Sequence, residues 1–194
     1  FNSATSALHG ACLSLGLSNK DILWTSAISF VASSNCGLYC GAEIDFVDID
    51  PKTFNICPDA LKKKLIFAKK TDSLPKILVV VHMCGQSADM KRIYEICKEY
   101  KIKIIEDASH AIGGAYQNKK VGSCKYSDIT VFSFHPVKII TTGEGGIACT
   151  NYPELKYGLD LSRTHGITKE KAKLYSDLDE NWFYEQHTLG YNYR

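Results

Sequence analysis

An α/β fold with a mostly parallel sheet and helices on both faces is predicted, and three observations predict it. Short β-rich runs alternate with helical ones through the first two thirds of the chain, the pattern of parallel strands joined by crossover helices. At 194 residues, with 45% hydrophobic content and a net charge of +2, the chain can bury the core of one ordinary domain. Two strand-like runs lie close together in the last third and suit an antiparallel edge on that sheet.

The elements are placed in order from hydrophobic period and end signals. Residues 6–17 are expected to be helical, with Ser3 or Thr5 near the cap. DILWTS, 21–26, reads as a strand and 30–39 as a helix. EIDFVDI, 43–49, is a strand, 58–68 a helix, and KILVVVHMCG, 76–85, a further strand. In the helix over 89–100, Ile93 and Ile96 share a face, and KIKIIEDAS, 101–109, comes next as a strand. Residues 129–134 and 146–150 form the closing pair, joined by the loop that holds Lys138. The stretch 168–187 is polar and aromatic without a clear period and is expected to be a surface excursion. With no internal repeat or linker, residues 1–194 count as one domain. The chain opens on Phe1 at a helix-start signal and stops within the aromatic run GYNYR, so it is expected to be a piece of a longer protein.

Composition excludes several classes. The net charge is too small to argue for a nucleic-acid partner, and Lys62, Lys63, Lys64, Lys69 and Lys70 fit a solvated helix face. Cys12, Cys97 and Cys149 lie in apolar periodic segments where a reduced thiol packs as a small hydrophobe. Cys36 and Cys40 have CxxxC spacing without a second ligand pair nearby, so no metal is expected. No apolar run reaches membrane-spanning length. A cytoplasmic enzyme domain is therefore expected.

In open parallel sheets ligands collect beyond the carboxyl ends of the strands, and three features fall there. Asp107 ends the apolar run Lys103-Ile104-Ile105-Glu106, either as a cap for the next segment or as a charge held for a ligand. Lys138 sits in SFHPVKIITTGEGG, one residue after Pro-Val and ahead of a threonine- and glycine-rich loop, a framing that a solvated lysine does not need. Ser3-Ala4-Thr5 marks a helix start whose free amides favour an anion, with Ser133 as an extra hydroxyl donor. Helix start, amine and carboxylate together meet the needs of pyridoxal 5'-phosphate: the amides take its phosphate, the amine its aldehyde, and the carboxylate its ring nitrogen. A nicotinamide-binding GxGxxG would stand between the first strand and helix of a βαβ unit, whereas TGEGG lies far downstream and enters a strand.

The motifs FNSATSALHGA, SFVASSN, VHMCGQSADM, EDASHAIGGAY, SDITVFSFHPVKIITTGEGG, RTHGI and LGYNYR, in that order, resemble the DegT/DnrJ-type nucleotide-sugar aminotransferases of pyridoxal-phosphate fold type I. The resemblance covers essentially the whole chain. It implies that residues 1–194 are the cofactor-binding large domain, without a leading segment and a smaller C-terminal domain. It makes Lys138 the Schiff-base lysine and the acid/base of the reaction, and pairs Asp107 with the pyridine nitrogen. Phe30 would stack on one ring face and Ser109 lie on the other, with His110 near the phenolic oxygen. Ala4, Thr5 and Ser133 would bind the phosphate, and Asn192 from a neighbouring subunit would complete that pocket in a homodimer with a shared active site.

Glutamate would give its amine to the cofactor, which would pass it to a UDP-linked 4-keto-6-deoxy-N-acetylhexosamine. A branch of the family that removes a sugar hydroxyl has histidine where Lys138 stands, and the lysine here points away from it. Other nucleotide-sugar 4- or 3-aminotransferases of the family, and a non-catalytic binding protein of the same fold, are the alternatives. By the residues alone, Phe30 also fits a core position, His110 a turn cap, Ser133 an ordinary strand serine and His82 a structural histidine. His135 and Pro136 fit a role in shaping the lysine loop. Arg163 and His165 fit either a substrate contact or a helix end.

Overall fold

The computed structural model describes residues 1–176, 180 and 182–194. Helix α1 (Ala4–Ser14) begins where its capping chemistry is complete: the Ser3 hydroxyl accepts the Ser6 N–H at 3.1 Å, and the Ser6 hydroxyl accepts the Ser3 N–H at 3.2 Å. The helix starts two residues before the expected position because its first turn is polar and held by these caps rather than by apolar period. Strand β1 (Ile22–Ser26), α2 (Ala32–Tyr39) and β2 (Glu43–Val47) come next. Helix α3 (Pro58–Lys70) has Pro58 in its first turn, Asp59 near the positive end of the helix dipole and Lys69 and Lys70 near the negative end. Its buried Leu61, Leu65 and Ala68 recur on one face, which leaves the lysines in solvent.

Strand β3 (Ile77–Val81) is buried throughout. It stops four residues short of the expected end because a 3-10 turn, Met83–Gly85, begins there, with Cys84 at φ 52° and Gly85 at φ 85°. Gly85 is required at this point: a Cβ would lie 2.7 Å from the His110 carbonyl oxygen. Helix α4 (Met90–Glu99) buries Met90, Ile93 and Cys97, with Ile96 only partly covered. Strand β4 (Lys103–Asp107) ends as Asp107 folds the chain back onto its own side chain through the Ser109 N–H. A small hairpin, β5 (Ala115–Tyr116) and β6 (Lys119–Lys120), precedes β7 (Ile129–Ser133) and β8 (Gly146–Cys149). Helix α5 (Pro153–Arg163) leads to the two-stranded pair β9 (Ile167–Thr168) and β10 (Glu185–Gln186). Residues 177–179 and 181 of the expected excursion lie outside the described residues.

The main sheet has the order β2-β1-β3-β4-β7-β8; all its neighbours are parallel except β7 and β8, the expected antiparallel edge. The pleat divides its side chains between two layers. Ile77, Val79, Ile105, Ile129 and Val131 pack with residues of α1, α2 and α5, while Leu78, Val80 and Ile104 pack with α3 and α4. Each fully buried leucine or isoleucine contributes about 1.5–3 kcal/mol of burial free energy, so these two layers hold the strand ends in place. Among the described residues no helix is long and apolar enough to cross a membrane.

Candidate active site

A cleft of about 530 Å³ opens beyond the carboxyl ends of β3, β4 and β7, on the face covered by α1 and α2. Val81, Asp107 and Ser133, the last cleft-facing residue of each strand, line it. Ala4, Thr5, Phe30, Ser109, His110 and Lys138 line it as well. Residues drawn from positions 4 to 138 of the chain thus meet in one place.

Asp107 is 5% exposed, and its carboxylate is held from both sides. Oδ2 accepts the Ser33 hydroxyl at 2.6 Å, and Oδ1 accepts the Ser109 hydroxyl at 2.6 Å and the Ser109 N–H at 3.2 Å. Ser29 in turn lies 2.7 Å from the Ser33 hydroxyl and donates to it, because the Ser33 proton is committed to Asp107. An ionised carboxylate has about four acceptor positions. Three are filled here, which leaves one for a donor in the cleft.

The helix start faces the same space. Ser3 takes the Ser6 amide, so Ala4 and Thr5 keep the α1 N–H groups that have no carbonyl four residues back. Phe1 and Gly146 exchange backbone hydrogen bonds at 2.8 and 2.9 Å, and Asn2 N–H donates to the Tyr193 carbonyl at 2.7 Å. These contacts hold the segment before α1 against the β8 edge. Gly146 permits the approach, since a Cβ there would lie 2.4 Å from the Ser3 carbonyl carbon and oxygen. Ser133, 6% exposed, accepts the His135 N–H at 3.3 Å beside the helix start.

The threonine- and glycine-rich framing of Lys138 has a structural cause. Thr141 Oγ1 donates to the Phe134 carbonyl at 2.9 Å and accepts the Gly143 N–H at 3.0 Å, Thr142 N–H donates to the same carbonyl at 3.1 Å, and Gly143 sits at φ +80°. The Phe134 N–H donates to the Gly145 carbonyl at 2.9 Å. The loop is closed at its base, and half-buried Lys138 stands on it at the cleft. His135 accepts the Val137 N–H at 3.2 Å through Nδ1, which shapes the turn, and its Nε2 lies 4.0 Å from Glu144 at the rim.

Partial burial, then the Lys138 ammonium, lowers the His110 pKa against the opposing pull of Asp107, so the imidazole is neutral near pH 7. Phe30 is 72% exposed at the cleft mouth, which excludes the core alternative for it. His82 is fully buried against Glu106 and does not line the cleft. The alternative of a structural histidine is the one the structure supports. Asn192 is absent from its own chain's cleft; it pairs with Thr164, and its carbonyl accepts the Asn2 side-chain amide at 3.3 Å. Arg163 lies at the α5 end beside Asp160 at 3.4 Å. Sequence reasoning missed Ser29 and Ser33. Their one signal was the spacing of two hydroxyls four residues apart in SFVASSN.

A nearly dry carboxylate aimed into a cleft with a helix start and a lysine defines a site for an anionic cofactor carrying a carbonyl group. The chain belongs to the DegT/DnrJ/EryC1/StrS aminotransferase family, whose model matches residues 1–194. It is 42% identical over 193 residues to the UDP-4-amino-4,6-dideoxy-N-acetyl-beta-L-altrosamine transaminase of Campylobacter jejuni, covering 100% of this chain and 47% of that protein. Among solved structures it resembles Helicobacter pylori PseC, an aminotransferase involved in the biosynthesis of pseudoaminic acid, with a TM-score of 0.84 and 35% identity over 100% of this chain and 48% of that one. The putative sugar aminotransferase Spr1654 of Streptococcus pneumoniae in its PMP form matches with a TM-score of 0.82 and 28% identity, covering 98% of this chain and 50% of that one. The chain spans about half the length of the curated relatives it matches.

Proposed function

We propose that residues 1–194 are the cofactor-binding domain of a pyridoxal-phosphate-dependent aminotransferase that moves an amino group from glutamate to a UDP-linked 4-keto-6-deoxy-N-acetylhexosamine. The convergence of Lys138, Asp107 and the α1 start in one cleft carries the reading. The residues present fit the cofactor: Asp107 has one acceptor position left, and the Ala4 and Thr5 amides lack helical partners. The 42% identity to the Campylobacter transaminase supports the sugar class.

Bound pyridoxal phosphate supplies an electron sink for the substrate carbon that loses a proton. The chain's residues supply the rest. Lys138 Nζ would hold the cofactor and, once released by the incoming amine, carry the proton from that carbon and return it. Asp107, fixed by Ser33 and Ser109, would keep a proton on the ring nitrogen through a charge-assisted hydrogen bond worth about 1.5–3 kcal/mol. Ala4, Thr5 and Ser133 would bind the phosphate, Phe30 would cover one ring face and Ser109 the other. Neutral His110 would donate toward the phenolic oxygen.

A homodimer with a shared site belongs to the same proposal. Phe30 and Val137 are exposed at the cleft, and their chain neighbours Val31, Ile139 and Ile140 are exposed as well, an apolar surface that favours a covering partner. Asn192 of the partner subunit would then complete the phosphate pocket. A cytoplasmic location suits the eight free thiols.

Incubation with pyridoxal phosphate, borohydride reduction and peptide mapping should place a phosphopyridoxyl group on Lys138. Glutamate added before the reduction should bleach the cofactor absorbance and prevent the labelling. Label spread over surface lysines would refute the reading, and labelling of Lys138 that glutamate leaves unchanged would favour a binding protein of the same fold.

A further inference from the structure

Strand β4 ends in two consecutive carboxylates that the pleat sends to opposite faces of the sheet. Asp107 enters the cleft, whereas Glu106, 5% exposed, points into the layer behind it. Glu106 Oε2 accepts from His82 Nε2 at 2.7 Å, and Oε1 accepts the Thr130 hydroxyl at 3.0 Å and the Ser127 hydroxyl. His82 Nδ1 accepts the Ala88 N–H at 3.2 Å, so the ring proton that faces Glu106 is carried on Nε2 and donated to it. The result is a buried carboxylate held by three donors.

These donors lie in or beside the strands that build the cleft. His82 directly follows Val81, Glu106 directly precedes Asp107, and Thr130 lies three residues before Ser133; Val81, Asp107 and Ser133 line the cleft. The His82 N–H also donates to the Asp107 carbonyl at 3.1 Å. A buried charge of this kind is commonly no more stabilising than apolar residues of the same volume, so stability alone gives no reason for it. One carboxylate that ties the ends of β3 and β4 to β7 gives a reason in geometry.

We propose that Glu106, with His82 and Thr130, forms a positioning site that holds the β3 and β4 ends in register with β7 and so fixes the direction in which Asp107 presents its carboxylate to the cofactor. The inference rests on the functional reading of the cleft as a pyridoxal phosphate site. None of the three residues touches the cleft; they act through Asp107 and its neighbours.

The test compares the unaltered chain with Glu106→Gln and Thr130→Val by pyridoxal phosphate titration, the absorption spectrum of the bound cofactor, circular dichroism and borohydride trapping. Glu106→Gln keeps the size but sets an amide N–H₂ among donors. It should fold, bind the cofactor about tenfold more weakly and shift the bound cofactor's absorption maximum. Thr130→Val removes one donor with little change of volume and should weaken binding by about threefold. Folded variants that match the unaltered chain in affinity and spectrum would overturn the proposal, even if their stability falls, because that pattern marks a purely structural role. Should Glu106→Gln fail to fold, Thr130→Val decides by the same two readouts. An unaltered chain that traps no cofactor on Lys138 would overturn the functional reading, and this inference with it.

Discussion

The Ser33 hydroxyl donates a hydrogen bond of 2.6 Å to Asp107 Oδ2 across 74 residues of chain, between the start of α2 and the end of β4. Both groups are buried, so the bond is shielded from water and directs one carboxylate oxygen. Replacing Ser33 by alanine should leave the fold intact and weaken pyridoxal phosphate binding by about tenfold, the equivalent of about 1.4 kcal/mol for a lost bond to a charged group. A fluorescence or absorbance titration reads this directly. Unchanged affinity would show that Ser109 alone orients Asp107.

Gly143 in the lysine loop and Gly146 at the start of β8 should respond differently to the same substitution. Gly146→Ala places a Cβ 2.4 Å from backbone atoms of Ser3, which cannot move without displacing α1. A loss of about 3 kcal/mol in urea unfolding is expected, from overpacking against rigid backbone. Gly143→Ala has open space around it and meets only the strain of φ +80°, so about 1 kcal/mol is expected. Equal losses would contradict the role given to the Gly146–Ser3 approach.

The pH dependence of stability should carry the signature of Glu106. Burial acts to raise its pKa, but the hydrogen bond and the electrostatic pull of His82, with the hydrogen bonds from Ser127 and Thr130, outweigh burial and hold it below the ordinary value. A carboxyl lowered in the folded state stabilises the fold above its unfolded pKa, about 4.3, and that contribution disappears as pH falls through the folded pKa. The stability difference between the unaltered chain and Glu106→Gln should therefore be constant from pH 7 to about 5 and shrink below about pH 4. Urea midpoints measured down to pH 3 check this, and a difference that stays constant over the whole range would contradict it.

Among the thiols, Cys40 should be the most reactive near neutrality. A hydrogen bond from Cys12, with His9 alongside, brings half-buried Cys40 down to about 6 against the effect of burial, whereas burial pushes Cys97 up to about 12. Alkylation by iodoacetamide, mapped by mass spectrometry, should label Cys40 with a rate that levels off above about pH 7, where its thiolate is complete. Cys97 should stay unlabelled in the folded chain. A Cys40 rate that keeps rising to pH 9 would show an ordinary thiol.

Much of the candidate cleft was legible because its parts lie at ends of locally patterned elements. Asp107 closes an apolar strand, Lys138 stands in a loop closed by threonine and glycine, and Ser3 marks a helix start; each signal spans a few residues. Strand ends were overestimated at 76–85 and 101–109, since apolar content continues past the point where backbone turns at Cys84, Gly85 and Asp107 stop the pairing. Ser33 was not legible, because nothing in SFVASSN says which carboxylate its hydroxyl will meet. Likewise, the placing of Glu106 and Asp107 on opposite faces comes from the pleat only once the faces are known.

The sequence by itself determined the order and type of the elements from α1 to β4, the antiparallel closing edge, and which residue types stand at the strand ends. These depend on period, caps and turn residues, all of which act over short distances along the chain. Helix α5 and the short pairs β5–β6 and β9–β10 were not placed from the sequence. Only the tertiary structure decided the strand order β2-β1-β3-β4-β7-β8, the pairing of Ser33 with Asp107, the withdrawal of His82 behind the sheet, and the exposure of Phe30. Those outcomes come from packing two apolar layers against one sheet. That packing sets contacts between residues tens of positions apart, for which no local pattern carries information.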